Sequence, residues 1–312
     1  MSGKVGQISG LLNIDKPEGL TSHDVVARIR RLARQKKVGH AGTLDPLASG
    51  VLLVCLGQAT RLLEYLMAGR KRYQATIHFG LATDTLDADG QIVTKRDTSH
   101  LTETEVRQIL PAFQGEIEQI PPIFSALKQG GQPLYKLARA GKTVAVAPRR
   151  VTIYSLSWLD WQPPKLTLEL VCSPGTYIRS LARDLGEAVG VGAHLAGLTR
   201  LASGEWTLAE AVPLEVLEQA AASDPAGWQK YLWPLDRAVS HLPPVTLAEA
   251  AVEQVKQGQP VEIDPIRPIS GQLVRAYTPA GEFLAILTRV EAGDTLWQPK
   301  KVFHLPSRGV TD

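Results

Sequence analysis

Apolar residues recur at helical spacing in three segments of the chain. The first segment, 21–33, opens with Thr21 and Asp24 in a capping-box pattern and carries arginines on its other face. The second, 102–113, opens with the same type of cap, and the third, 179–189, shows the same periodicity. The pattern therefore predicts three helices.

Strand patterns lie between these helices. Residues 51–56 are apolar without interruption, which predicts a buried strand. Residues 73–79 and 166–172 alternate between apolar and polar positions, as half-buried strands do. Because helices and strands mix without a regular β-α-β rhythm, we expect an α+β fold with a mixed, mostly antiparallel sheet.

The pattern changes in the last third of the chain. Prolines bracket the segment 234–244, a helical pattern follows at 246–257, and strand patterns fill 271–304. We therefore expect two domains, a larger one over residues 1–235 and a small β-rich one over residues 244–306.

The segment 119–150 differs in composition from the rest of the chain. It contains Pro121-Pro122 and Gly130-Gly131, and a basic stretch runs to Arg150. This composition predicts an insertion that projects from the sheet, part loop and part short helix. A plain surface loop is the alternative that composition leaves open.

Charge distribution tells more than total charge. The 312 residues carry a net charge of only +3, and their 44% hydrophobic content is ordinary for a globular protein. If its basic clusters meet in space, they form a trough suited to phosphates, and if they do not, they are separate solvated faces. These clusters are Arg28–Lys37, Arg61 with Arg70–Arg72, and Arg139, Lys142, Arg149 and Arg150.

The sequence lacks the residues that several classes of protein require. Cys55 and Cys172 both lie in apolar strand patterns and are typical of core residues in a reducing compartment. No zinc spacing and no phosphate-binding glycine loop occurs, so we expect neither a metal nor a cofactor. No apolar run approaches the ~20 residues that span a bilayer. We expect a cytoplasmic protein without a membrane partner.

One loop places a single carboxylate among small and turn-forming residues. The stretch Gly39–Gly50 contains Asp45 followed by Pro46, and it leads directly into the buried strand pattern. Glycines allow unusual backbone shapes and a close ligand, and Pro46 restricts Asp45 to an extended conformation. A rigid loop at a strand edge often carries catalytic residues. A turn in which Asp45 only caps local amides is equally compatible with this pattern.

The motif Gly39-His40-x-Gly42-x-Leu44-Asp45-Pro46-x-Ala48-x-Gly50 resembles the catalytic loop of the TruB-type tRNA pseudouridine synthases. The block Leu12–Ser22 resembles the first block of the same family, and matched blocks continue to about Arg200. These enzymes isomerise the uridine at position 55 in the T-arm loop of tRNA. The resemblance implies a pseudouridine-synthase catalytic domain with an RNA-gripping insertion, and a PUA-like RNA-binding domain at the C-terminus.

The resemblance also implies roles for three catalytic residues. Asp45 is the essential carboxylate, acting either as nucleophile at C1′ or as the base that removes the 2′ proton. Tyr73 stacks on the target base and is a candidate for taking the C5 proton, whereas on pattern alone it is a core tyrosine. Arg179 forms an ion pair with the carboxylate, whereas on spacing alone it is a surface helix arginine.

Five further residues match positions that bind substrate in the family. Tyr177 forms the pocket wall and Leu198 the pocket floor, and His40 helps to displace the target nucleotide. Arg61 contacts a phosphate, and Asp87 holds the base or the loop.

The implied partner is tRNA, bound through its T-arm, and monomer is the default state. Guide-RNA-dependent relatives generally lack an insertion like 119–150, so we expect a stand-alone enzyme without a guide RNA. The alternative is a tRNA-binding folding chaperone with little or no turnover, which requires the basic clusters but not Asp45. A carboxylate glycosidase needs a second carboxylate as the acid, and the sequence identifies none.

Overall fold

The computed structural model describes residues 7–125, 127–129, 131–134, 146–263, 272–290 and 295–304. Its centre is a ten-stranded mixed sheet. The strands of this sheet are β1 (Gly10–Lys16), β2 (Val38–His40), β3 (Ala48–Leu56), β4 (Lys71–Phe79), β7 (Gly115–Gln119), β10 (Arg149–Gln162), β11 (Lys165–Cys172), β12 (Ala193–Ser203), β13 (Trp206–Thr207) and β14 (Val212–Pro213). Two hairpins accompany it, formed by β5 (Leu81–Thr83) with β6 (Ile92–Lys95) and by β8 (Lys128–Gln129) with β9 (Gln132–Pro133).

Short helices cover the sheet and link its strands. The α-helices are α1 (Ser22–Leu32), α2 (Leu63–Ala68), α3 (Glu103–Ile109), α4 (Ile178–Ala188), α5 (Leu214–Ser223) and α6 (Glu249–Lys256). The 3-10 helices are Gly57–Leu62, Leu110–Phe113, Leu208–Glu210, Gly227–Tyr231 and Leu235–Val239. In the part of the chain that the structure describes, no helix has the length and apolarity needed to cross a lipid bilayer.

The predicted α+β class is confirmed. The main path of the sheet runs β14-β1-β3-β12-β4-β11-β10-β7, and only the pairs β1–β14 and β3–β12 are parallel. The capping box of α1 forms at Thr21, and that of α3 forms at Thr102. α3 is shorter than predicted, because its last turn over Leu110–Phe113 tightens into a 3-10 helix.

The burial of β3 on both faces explains its uninterrupted apolar run. Leu52, Val54 and Leu56 pack into the hydrophobic core on one face of the sheet, while Leu53 and Cys55 pack into a second cluster on the other face. A strand that is covered on both faces has no polar side, so its sequence cannot alternate. Cys55 and Cys172 are both buried free thiols, as their apolar contexts predict.

The C-terminal region forms a separate five-stranded sheet, as predicted for a β-rich domain. Its path is β15 (Pro244–Thr246), β17 (Leu273–Tyr277), β18 (Phe283–Arg289), β19 (Leu296–Val302) and β16 (Val261–Glu262). Phe283 and Phe303 join Leu53 in the second apolar cluster, so the two sheets share buried surface. The domain bounds 1–235 and 244–306 stay a prediction.

The predicted insertion, 119–150, begins where β7 ends. β10 already starts at Arg149, one residue earlier than the predicted end of the insertion. The hairpin β8–β9 is part of it, and residues 135–145, which include Arg139 and Lys142, lie outside the described residues. The short helix that was predicted within the insertion therefore stays a prediction.

Gly50 stands where two strands meet too closely for a side chain. It pairs with Arg200 in the parallel contact of β3 with β12, and its φ is +95°. A Cβ at this position would lie 2.4 Å from the carbonyl oxygen of Arg200. Gly19 also has a positive φ, +82°, but a Cβ there would meet no atom within 4 Å.

We expect Gly50→Ala to destabilise the fold far more than Gly19→Ala. Backbone strain alone costs roughly 1–2 kcal/mol at each site, and only Gly50→Ala adds a clash with backbone that must move. Urea unfolding of the two variants measures the difference. Equal losses of unfolding free energy would show that the contact of β3 with β12 yields without cost.

Candidate active site

Five of the eight predicted site residues line one cavity of about 330 Å³. They come from four separate places: the loop between β2 and β3, strand β4, the start of α4, and strand β12. The five are Asp45, Tyr73, Tyr177, Arg179 and Leu198. Convergence of these distant segments on one cavity is the first requirement of an active site.

The block before α1 holds the loop that carries Asp45. The backbone N–H of Gly19 donates to the carbonyl of Pro46 at 2.9 Å. The Ser22 hydroxyl is buried, accepts from the Leu44 N–H at 2.8 Å, and donates to the Leu44 carbonyl at 3.0 Å. These contacts fix the backbone on both sides of Asp45, so its carboxylate is positioned before any ligand arrives.

Arg179 links two carboxylates at the bottom of the cavity. Its Nε lies 3.0 Å from Asp45 Oδ2, and its Nη1 lies 3.4 Å from Asp87 Oδ2. Its remaining N–H groups donate to the carbonyls of Thr85 at 3.2 Å and Phe124 at 2.9 Å. Only 7% of the Arg179 side chain is exposed, whereas Asp45 is 37% exposed. Asp45 is therefore the open end of a buried charge network.

Opposing effects set the protonation of Asp45. Burial raises the pKa of this carboxyl, and Arg179 and Lys16 oppose the rise, while Asp87 adds to it. The net direction of the Asp45 pKa is upward, despite the ion pair with Arg179. Arg179 therefore limits a desolvation penalty rather than producing an unusually acidic group.

Tyr73 forms another part of the cavity wall and is 8% exposed. Burial raises the pKa of its phenol, and the Arg200 guanidinium opposes that rise through its charge and a hydrogen bond. Tyr73 thus presents a neutral hydroxyl at neutral pH. Leu198 lies beside it and pairs in register with Ala75 and Ala48, whose small side chains leave room for the cavity.

The start of α4 is held by a side-chain amide. Gln119, at the end of β7, is 1% exposed and donates from Nε2 to the Tyr177 carbonyl at 2.9 Å. Its Oε1 accepts from the Tyr177 N–H at 2.8 Å. This pair of bonds fixes the residue that precedes α4, and with it the direction in which Arg179 enters the cavity.

Arg200 is a site residue to which sequence reasoning gave no role. It lines the cavity at 1% exposure, donates from Nε to the Val51 carbonyl at 2.7 Å, and donates from Nη2 to the Gly42 carbonyl at 3.1 Å. It therefore ties both ends of the catalytic loop to the strand opposite Tyr73. Its position two residues after Leu198, on the same face of a strand, was the available signal.

The other three predicted residues lie outside the cavity lining. Asp87 is buried behind Arg179. His40 ends β2 beside His23, with ring centroids 5.5 Å apart, and burial lowers the pKa of its imidazole. Arg61 lies at the junction with the C-terminal sheet, where it donates to the Val302 carbonyl and stacks on Phe303. Its phosphate contact stays a prediction.

The basic clusters are dispersed in the described part of the chain. Lys71 lines the cavity, but Arg28 pairs with Glu218, Arg72 with Glu169, and Arg150 with Glu116. A single continuous trough around the cavity stays a prediction.

Comparison with known proteins places the chain in an enzyme class. Residues 30–178 match the description "TruB family pseudouridylate synthase (N terminal domain)". Residues 179–240 match "tRNA pseudouridylate synthase B C-terminal domain", and residues 243–286 match "Pseudouridine synthase II TruB, C-terminal". The chain therefore has the fold of a pseudouridine synthase, an isomerase.

Similarity to curated relatives assigns the chain to a family. A "tRNA pseudouridine synthase B" of Synechocystis sp. is 46% identical, with 95% of this chain and 99% of the relative covered. One of Pseudomonas aeruginosa is 43% identical over 89% of this chain and 91% of the relative. The chain belongs to the TruB family of pseudouridine synthases, as its motifs predict.

Solved structures agree on the fold. A structure of an H/ACA RNP bound to a substrate RNA containing 2′-deoxyuridine matches with a TM-score of 0.70 and 27% identity, covering 95% of this chain and 85% of that one. A structure of the archaeal box H/ACA sRNP matches with a TM-score of 0.68 and 28% identity, covering 95% and 86%.

We expect Arg179→Gln to raise the pKa of Asp45 further, because the variant removes the guanidinium that opposes the effect of burial. A carboxyl NMR titration, with the Asp45 signal assigned through Asp45→Asn, measures the shift. Arg72→Gln is the control, since its ion pair with Glu169 lies outside the cavity lining. An unchanged Asp45 titration in Arg179→Gln would contradict the electrostatic role.

The sign of the stability effect follows from the same shift. The folded pKa of Asp45 lies above its unfolded value, so the associated stability is present at low pH and is lost as pH rises through the folded pKa. In Arg179→Gln the pKa of folded Asp45 is expected to be higher still, so the protein continues to lose stability up to a higher pH. The stability deficit of the variant relative to the unmodified protein therefore grows from mildly acidic to neutral pH.

Proposed function

We propose that this enzyme isomerises uridine to pseudouridine at position 55 in the T-arm loop of tRNA, with Asp45 as the essential carboxylate. The observation that carries the proposal is the pair of Asp45 and Arg179, 3.0 Å apart at the bottom of a cavity with two tyrosines in its wall. The relatives named tRNA pseudouridine synthase B support tRNA as the substrate.

The reaction exchanges one bond for another without gain or loss of atoms. The bond from ribose C1′ to uracil N1 breaks, the base turns, and a bond from C1′ to C5 forms. The proton on C5 leaves and N1 gains one, so no redox cofactor is required. Asp45 either adds to C1′ and is later expelled by C5, or removes the 2′ proton to give a glycal. Both routes start from the ionised carboxylate.

The cavity suits a single base that has left its stack. A flipped uracil has to be received by apolar and aromatic surfaces, at an unstacking cost of a few kcal/mol. The Tyr73 ring offers the stacking surface, and Leu198 and Tyr177 contribute further wall. Stacking of a base on an aromatic ring contributes about 1–3 kcal/mol, which offsets much of that cost. His40, on the strand before the catalytic loop, would occupy space near the displaced nucleotide.

RNA outside the cavity would meet the insertion and the C-terminal sheet. Arg149 and Arg150 are exposed at the start of β10, next to the insertion. We assign the PUA-like, RNA-binding role to the five-stranded C-terminal domain. We further propose that the enzyme acts without a guide RNA, because its chain carries the insertion that guided relatives generally lack.

The test uses the protein alone with an unmodified tRNA transcript. We expect pseudouridine at the single T-loop position, and we expect Asp45→Asn to slow its formation by at least about a thousandfold, at the upper part of the range for a proton-transfer group. RNA binding should survive in Asp45→Asn, since one carboxylate is not a phosphate contact. Asp160→Asn is the matched control, because Asp160 is an exposed carboxylate on β10, remote from the cavity lining.

Each other outcome has a definite meaning. RNA binding without modification by the unmodified protein would favour the chaperone function. Modification at another uridine would overturn the T-arm assignment. Equal activity in Asp45→Asn and in the unmodified protein would return Asp45 to the role of a turn residue.

A further inference from the structure

An arginine and a tyrosine stack on each other close in sequence to residues that line the cavity. The Arg70 guanidinium carbon lies 3.9 Å from the centroid of the Tyr154 ring. Arg70 is exposed, and 40% of Tyr154 is exposed although it belongs to a strand of the main sheet. A large aromatic ring that is left open to solvent beside an active site is a candidate contact surface.

The chain itself places this pair beside the cavity. Met67, three residues before Arg70, and Lys71, directly after it, both line the cavity. Tyr154 lies two residues after Thr152, whose N–H donates to the Ser173 hydroxyl at 2.9 Å, and Ser173 also lines the cavity. The stack therefore crosses the end of β11, next to the cavity-lining residue Ser173.

Arg70 differs from the other arginines that lie over aromatic rings. Arg107 lies over Trp158 but pairs with Glu103, and Arg237 lies over Trp206 but pairs with Glu205. Among the described residues, Arg70 forms no ion pair and no side-chain hydrogen bond. Its N–H groups are thus available to an incoming acceptor, while the ring beneath restrains the guanidinium plane.

A guanidinium plane has two faces, and Tyr154 occupies one of them. The other face can take a base, and the N–H groups at its edge can reach a phosphate. A base stacked on such a plane gains both cation–π and dispersion attraction. Met67, 44% exposed at the same rim, adds apolar surface beside it. This combination of a flat cation and apolar surface fits an unpaired nucleotide.

We propose that Arg70 and Tyr154 form a stacking platform for a nucleotide that flanks the target uridine. The proposal rests on the proposed function, because it presupposes an RNA whose target base enters the cavity. When that base leaves its stack, its neighbours lose a stacking partner. The platform replaces that partner and holds the RNA strand open during the reaction.

The experiment compares four variants with one control in binding and in single-turnover rate on a T-arm hairpin RNA. Arg70→Lys keeps the charge and loses the plane, and Arg70→Gln loses both. Tyr154→Phe keeps the ring, and Tyr154→Ala removes it. Arg72→Gln removes an equal charge two residues away, from an arginine held by Glu169 at 2.8 and 2.9 Å.

We expect Arg70→Lys, Arg70→Gln and Tyr154→Ala each to weaken hairpin binding by about tenfold. Tyr154→Phe and Arg72→Gln should stay within about twofold of the unmodified protein. The single-turnover rate at saturating RNA should change little in any variant, because the platform binds a neighbour of the reacting nucleotide. If Arg70→Lys binds as tightly as the unmodified protein, the stacking platform is overturned in favour of simple charge attraction.

A set of abasic hairpins tests the nucleotide itself. Each T-loop base next to the target uridine is replaced in turn by an abasic site. At one position we expect binding by the unmodified protein to fall about tenfold, and Arg70→Gln to cause no additional loss on that RNA. Fully additive losses at every flanking position would overturn the proposal.

The two proposals fail in different ways. If the unmodified protein forms no pseudouridine in the hairpin or in the full transcript, the proposed function is wrong. If it forms pseudouridine and all four variants match it in binding, only the platform is wrong.

Discussion

The buried guanidinium of Arg179 is the constraint around which the active site is arranged. A cation that is 7% exposed loses most of its hydration, so the protein must supply anions and carbonyls in return. Arg179 obtains them from three separate stretches of chain, through Asp45, Asp87 with Thr85, and Phe124. Each of these stretches is a loop, and each becomes fixed because the same side chain requires it. One buried charge thus positions the catalytic loop, the loop after β5 and the segment after β7.

The same arrangement explains why Asp45 is exposed while Asp87 is not. Asp87 is 6% exposed, and its carboxylate also accepts from the Thr85 hydroxyl, so it is fully engaged in the structure. Asp45 keeps one side toward the cavity. Two carboxylates on one guanidinium repel each other, and Asp87 accordingly raises the pKa of Asp45. The network leaves Asp45 ionisable but less stabilised as an anion than a surface carboxylate. In the proposed reaction, this would favour attack on C1′ or removal of the 2′ proton.

Sequence patterns predicted the elements whose chemistry is local. Thr21 forms its capping box, and the alternation of 73–79 gives β4, because the backbone and one apolar face decide these structures. β1 and β12 were not predicted, and each contains a buried cation, Lys16 as the last residue of β1 and Arg200 within β12. Lys16 donates to the nearby carbonyls of Pro17 and Leu20, whereas Arg200 depends on the distant carbonyls of Val51 and Gly42, which no local rule supplies.

The candidate site shows the same division between features that local sequence indicates and features that depend on tertiary contacts. The motif around Asp45 indicated the loop, and the family resemblance indicated Tyr73 and Arg179, which the structure brings into one cavity. The resemblance included Ser22 in its first block but gave it no role, and the structure shows that its hydroxyl holds that loop from 22 residues away. Arg61 lies at the junction with the C-terminal sheet rather than in the cavity lining. The sequence could not indicate this position, because the packing of Arg61 on Phe303 is a tertiary contact without a local sequence signature. β10 contains register shifts near Ile153 and Trp158, so its outward residues, Tyr154 among them, do not follow the simple alternation.

The balance of buried charge finally bears on how the reaction proceeds. Around the cavity, buried cations outnumber buried carboxylates, and backbone carbonyls rather than anions satisfy most of them. The buried cations are Lys16, Lys71, Arg179 and Arg200, the buried carboxylate is Asp87, and Asp45 is half-buried. Burial lowers the pKa of Lys16 and of Lys71 to about 8, with a smaller contribution in the same direction from the Arg200 charge, while Asp45 opposes the effect at Lys16. A site with surplus positive charge is preorganised for an anion that is absent at rest. The proposed reaction supplies one, because cleavage from C1′ leaves the uracil with a negative charge that the cavity must hold while the base turns.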